Sequence, residues 1–146
     1  MTPASLAAAA APAPLPIRSK IALTAEILVL YARARWQLRG NDIRSALAGM
    51  RAERRLTDPD GDPTAYAAGL RYGRAVRRVL GLLPSDSRCL MQSVVLDGVL
   101  ARRGLLSMLV IGVRPGADFG AHAWVELGGR PLLPPQEDEF ERLLAL

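Results

Sequence analysis

The chain has 146 residues, half of them apolar and 23% charged, with 13 glycines and 11 prolines. That composition excludes a large multidomain enzyme and predicts one globular domain that removes roughly two-thirds of its surface from water. The net charge of +5 is unevenly spread: residues 1–103 carry 16 basic and 8 acidic groups, and residues 104–146 carry 3 and 6. Cys89 and His122 are each the sole residue of their type, so an internal disulfide and a Cys/His zinc cage are excluded and a reducing cytoplasm fits best. No cofactor or metal motif is present.

Residues 1–16 run through Ala7 to Ala11 and then Pro12, Pro14 and Pro16, with no basic residue ahead of the apolar stretch. This is an Ala/Pro arm expected to be disordered, and not a secretory signal. Between Lys20 and Arg33 lie twelve residues interrupted by Glu26, too few to cross a bilayer that needs ~20 apolar residues. No integral membrane segment is expected, while peripheral contact stays open.

From Ile17 to Leu38 the residues Ile21, Ala25, Leu28, Ala32 and Trp36, joined by Ile27 and Tyr31, recur at helical spacing, which predicts a long amphipathic helix. Gly40 ends it, and Asn41 or Asp42 can cap a second helix to about Arg55. Asp58-Pro59-Asp60-Gly61 then breaks the chain, and Asp62 before Pro63 is an N-cap with proline at the first helical position. The third helix should reach Leu80, burying Tyr66, Leu70, Val76, Val79 and Leu80. Arg71, Arg74, Arg77 and Arg78 form another stripe on it, whose ordinary role is a solvated face.

Ser85, Asp86 and Ser87 are capping residues for a largely buried helix from Cys89 to Leu100, before Gly104. Ser107 to Arg114 reads as a central strand and Pro115 to Gly120 as a loop. Ala121 to Leu127 alternates, with Ala123, Val125 and Leu127 on one face and His122, Trp124 and Glu126 on the other. Gly128-Gly129 is a hairpin turn into Arg130 to Leu133, and Glu137 to Leu146 is expected to close the chain as a short helix. The fold class is α+β: a helical region over 17–80 and a core over 81–146 that form one compact domain, with a small antiparallel sheet.

A cysteine in the first turn of a helix meets unpaired N–H groups and the positive dipole end, which stabilise a thiolate and can face the oxyanion of a tetrahedral intermediate. Cys89 is so placed. His122 is the only imidazole and heads a strand between small neighbours, and Cys plus His is the minimal pair for covalent acyl transfer. Taken singly, a lone cysteine among leucines is usually a small buried hydrophobe and a lone strand histidine is usually structural. Their order and context point further.

Ser87-Arg88-Cys89-Leu90, Arg102-Arg103-Gly104, Ile111-Gly112-Val113-Arg114 and Ala121-His122-Ala123-Trp124-Val125-Glu126 together resemble the leader peptidases of lasso-peptide biosynthesis. These are transglutaminase-like cysteine proteases, the stand-alone protease half of the B protein. The resemblance covers about residues 82–146. It implies a papain-like cysteine protease core that removes the leader from a ribosomally made precursor peptide. A separate leader-recognition protein would present the leader, and an ATP-dependent, asparagine-synthetase-like cyclase would close the macrolactam ring. Carried over by position, Cys89 is the nucleophile, His122 the general base, and Trp124 the tryptophan that shields the site. Two departures stand out. Pro134 occupies the position where the family has an acidic residue that orients the imidazole, and the family's Cys-Leu-x-Arg-Ser is here Cys89-Leu90-Met91-Gln92-Ser93, so that Gln92 and Ser93 line the site without the arginine.

Hairpin pairing supplies a substitute for the missing carboxylate. Across Gly128-Gly129, Leu127 pairs with Arg130, Glu126 with Pro131, Val125 with Leu132 and His122 with Pro135. Two residues further, on the same face, comes Glu137. Its rival is Asp118, and a backbone carbonyl or no partner at all remains open. The expected function is leader removal by a cysteine peptidase. The alternatives are transglutaminase-type acyl transfer and a catalytically degenerate precursor-binding scaffold. A nucleic-acid partner is not expected, because the arginine stripe lacks interleaved aromatics or a groove-reading motif.

Overall fold

A computed structural model describes residues 14–51, 55–84, 88–117, 119–132 and 140–146. Helix α1 spans Ile17–Gly40 and buries Leu23, Ile27, Leu30 and Ala34. The expected stripe of Ile21, Ala25, Leu28, Ala32 and Trp36 instead faces outward, with Trp36 76% exposed. The reason lies in the helix itself. Two apolar stripes offset by two residues are about 200° apart, on opposite faces. The stripe with the larger leucine and isoleucine content is the one that packs on the core.

Helix α2 covers Ile43–Arg51 and stops short of Arg55, which lies in no helix; residues 52–54 fall outside the described set. Asp42 caps it, its Oδ1 accepting from the Ser45 backbone N–H at 2.8 Å. Hydrogen bonds from Ser45 hold the Asp42 carboxyl below its ordinary range. Asp62 caps helix α3, Pro63–Leu80, accepting from the N–H groups of Thr64 and Ala65 at 2.9 and 3.3 Å, with proline at the first helical position as expected. Val76 and Leu80 are buried, while Tyr66, Leu70 and Val79 are half-buried against the same core.

Helix α4, Arg88–Ala101, is buried at every residue from Ser93 onward and packs on α1, α2 and α3. The expected capping residues Ser85, Asp86 and Ser87 lie outside the described residues. Four strands follow: β1 Met108–Arg114, β2 Gly120–Leu127, β3 Arg130–Pro131 and β4 Glu141–Ala145, in the sheet order β3-β2-β1-β4. Both neighbours of β1 run antiparallel to it. Gly128 and Gly129 adopt φ of +58° and +74°, the conformation of a two-residue primed turn that non-glycine residues resist. The resulting pairs are Leu127 with Arg130 and Glu126 with Pro131, the register expected from the sequence.

The expected C-terminal helix is not formed over 141–145; that segment is β4. Leu, Glu, Arg and Ala favour helix locally, but the outer edge of β1 offers unpaired backbone groups, and sheet pairing outweighs a propensity worth only tenths of a kcal/mol per residue. The pairing ends on reciprocal hydrogen bonds between Leu109 and Leu146 at 2.8 and 2.9 Å.

Asp97, 1% exposed, fastens these parts together. It accepts two hydrogen bonds from Arg51 of α2, at 2.7 and 3.0 Å, and one from the Ser107 hydroxyl ahead of β1 at 2.7 Å. Arg51 also donates to the carbonyls of Ser107 and Leu146, at 2.9 and 3.3 Å. Among the described residues, no helix is long and apolar enough to cross a membrane.

Candidate active site

Cys89 lies in the first turn of α4 and is a free, half-buried thiol. One turn on, Ser93 is 1% exposed and its hydroxyl donates to the Cys89 carbonyl at 2.8 Å, a back-bond that occupies the serine within the helix. Gln92 is half-buried beside it. The link between Asp97 and Ser107 fixes the C-terminal part of α4 at the start of β1. Antiparallel pairing then sets the start of β2, with His122, at the end of the sheet remote from Ser107. Cys89 begins α4 at the end remote from Asp97.

Alternation divides β2 into two faces. Val125 and Leu127 join the helical core together with Leu109 of β1. His122, Trp124 and Glu126 occupy the opposite face, as the sequence predicted. The His122 ring lies 6.2 Å from the Trp124 ring at an interplanar angle of 14°, and 5.4 Å from Phe140 at 35°. Burial pushes the imidazole below its ordinary value, which favours the neutral form that a general base requires. Among the described residues no hydrogen bond joins Cys89 to His122; the bonds and ring contacts of each are made to other groups.

Trp124, 2% exposed, donates from Nε1 to Glu126 Oε1 at 3.0 Å, and Arg142 of β4 donates to the same oxygen. The tryptophan ring beside the histidine is thereby held by a buried carboxylate and a neighbouring strand. Gly112, paired with His122, completes the arrangement. A Cβ there would stand 2.8 Å from the Trp124 ring and 3.0 Å from Phe140 Cβ. Glycine inside a strand commonly marks such a close approach, so Gly112 was detectable in the sequence. Phe140 and Arg142 were not, because they depend on the unexpected strand β4. Glu137, Asp118 and Pro134 lie outside the described residues.

A family model described as the transglutaminase-like superfamily matches residues 27–145. The chain belongs to this superfamily. The match takes in α1 to α4 as well as the sheet, extending well beyond the motif-bearing region from residue 82. The transglutaminase-like superfamily generally contains cysteine-dependent enzymes, of protease or acyltransferase kind. No curated protein and no solved structure matches the chain in these comparisons.

Proposed function

We propose that this transglutaminase-like protein is a cytoplasmic cysteine peptidase that cleaves the leader from a ribosomally synthesised lasso-peptide precursor. What supports the reading is a lone cysteine in the first turn of α4, a helix that packs on the strand carrying the lone histidine, in a chain of this superfamily. The His122 ring itself lies with Trp124 and Phe140 on the face of β2 away from the helical core, so the pair has to close when substrate binds. The chemistry divides into two steps. His122 takes the thiol proton as the Cys89 sulfur bonds to the scissile carbonyl carbon. It returns that proton to the departing amine as the C–N bond breaks, leaving a thioester. Water then attacks with His122 again as base, and the thiol departs with the proton. Donors at the start of α4 face the developing oxyanion, and Trp124 shields the imidazole. Glu137 is the proposed orienter of His122. A leader-recognition protein presents the substrate, and an asparagine-synthetase-like cyclase takes the product.

The test incubates the protein with its candidate precursor, with and without the recognition partner, and reads leader release by mass. Heavy-oxygen water labels the new carboxyl if hydrolysis resolves the thioester, whereas an amine adduct without label indicates transglutaminase-type transfer. Precursor binding without any covalent change identifies the scaffold alternative, to which Pro134 lends weight.

A further inference from the structure

A groove of about 310 Å³ runs between α1 and α3, at the lower end of the range of ligand pockets, roughly 300–1,000 Å³. Lys20 of α1 and Arg71, Arg74 and Arg78 of α3 line it, above a floor that includes Leu23 and Val79. Neither Cys89 nor His122 contributes to it.

Among the described residues no salt bridge compensates these four cations. Helix α3 contains no acidic residue, and the only one in α1, Glu26, is engaged by Arg103 at 2.9 and 3.1 Å and lies 3.8 Å from Arg102. Arg74 reaches the Leu70 carbonyl of its own helix at 3.3 Å. Arg71 Nε is buried without a hydrogen-bond partner, and an unsatisfied buried donor is costly. Favourable interaction with the end of the helix dipole accounts for cations in the last turn of α3, but Arg71 stands well before that turn.

We infer that the groove between α1 and α3 docks a peptide segment in which acidic and apolar side chains lie next to one another. Three features select that class. The arginines from 71 to 78 span about 10 Å of helix, so they suit several carboxylates in series better than one anionic head. The apolar floor suits side chains better than a polyphosphate backbone. Finally, the outward stripe of α1, with Ile21 and Leu28, continues from the groove through Lys20 and extends the apolar surface. This docking role is independent of whether Cys89 is a nucleophile.

The probe is a short acetylated and amidated peptide of alternating leucine and glutamate, titrated calorimetrically into the full-length protein. Controls replace every glutamate by glutamine, or every leucine by serine. Binding should require both side-chain types and weaken as salt screens the cations. Arg74→Glu with Arg78→Glu, both exposed, should weaken it about tenfold or more, while Arg77→Glu, on the same helix but outside the groove, should leave it unchanged. Equal binding of the glutamine peptide, an equal effect of Arg77→Glu, or full affinity in the double variant overturns the inference. So does tighter binding of duplex DNA or anionic vesicles that the double variant abolishes.

Discussion

Asp97 and Glu126 are both buried carboxylates, 1% and 3% exposed, and each is paired with an arginine, yet their surroundings give them different work. Asp97 joins α2, α4 and the approach to β1 through Arg51 and Ser107, and Arg51 goes on to the chain's last residue. Glu126 joins β2 to β4, and it holds the ring that flanks His122. The arginine side chains differ likewise: that of Arg51 is 22% exposed and that of Arg142 50%, so solvent screens the second pair far more. Burial of the carboxylate alone does not separate a structural pair from a site-building one; the number of elements tied together does.

The site end of this comparison is tested most severely by Cys89→Ala. It should lower leader cleavage by several orders of magnitude, because nucleophile and base act as a unit. The melting temperature should hardly change, since only one half-buried sulfur is removed. Near wild-type cleavage by a folded Cys89→Ala protein would falsify the catalytic assignment. At the structural end, Asp97→Ala leaves Arg51 without its carboxylate and should destabilise the fold by about 3–5 kcal/mol, read from denaturant unfolding. Glu126→Gln keeps a hydrogen-bond acceptor for Trp124 and should cost about 1 kcal/mol or less, with the cleavage rate changed little because the ring keeps its anchor. If the two substitutions cost the same stability, the distinction between the two carboxylates fails.

Gly112→Ala sharpens the contrast within the site. The new methyl group would meet the flat Trp124 ring at 2.8 Å, and a buried ring hydrogen-bonded at Nε1 has little room to yield. Overpacking of this kind costs typically about 1–3 kcal/mol. Cleavage should fall more than stability predicts, because the displaced ring is the one beside His122. A variant with wild-type rate and stability would show that the aromatic enclosure is looser than its distances indicate.

What was legible in the sequence follows the same division. Local chemistry was readable: the Asp62-Pro63 helix start, the Gly128-Gly129 turn with its register, and the alternation that puts His122, Trp124 and Glu126 on one face. Choices that depend on tertiary partners were not. Helix α1 offers two apolar stripes of equal period, and only packing on α4 decides which is buried. The segment from Glu141 has helical composition, and only the open edge of β1 makes it a strand. Because β4 was missed, so were Phe140 beside the His122 ring and Arg142 beside Glu126.

The smallest expected effect concerns the proton on His122. Burial lowers its pKa in the folded state, so between that value and the ordinary histidine range the unfolded chain binds more protons than the folded one. By linkage, stability rises with pH across that window. The contribution is fully present above the ordinary histidine value and is lost as the pH falls through the window, and His122→Gln should flatten that slope. With the neutral ring as the proposed base, the acid limb of kcat/KM should likewise lie below the ordinary histidine range. With one imidazole in the chain, a single Cε1–H resonance reports its titration without ambiguity, and the midpoint should fall below 6.5. A midpoint above that value would mean that an anion beside the ring outweighs burial. Glu137→Gln would then show whether that anion is the missing third member, by returning the midpoint to the low side.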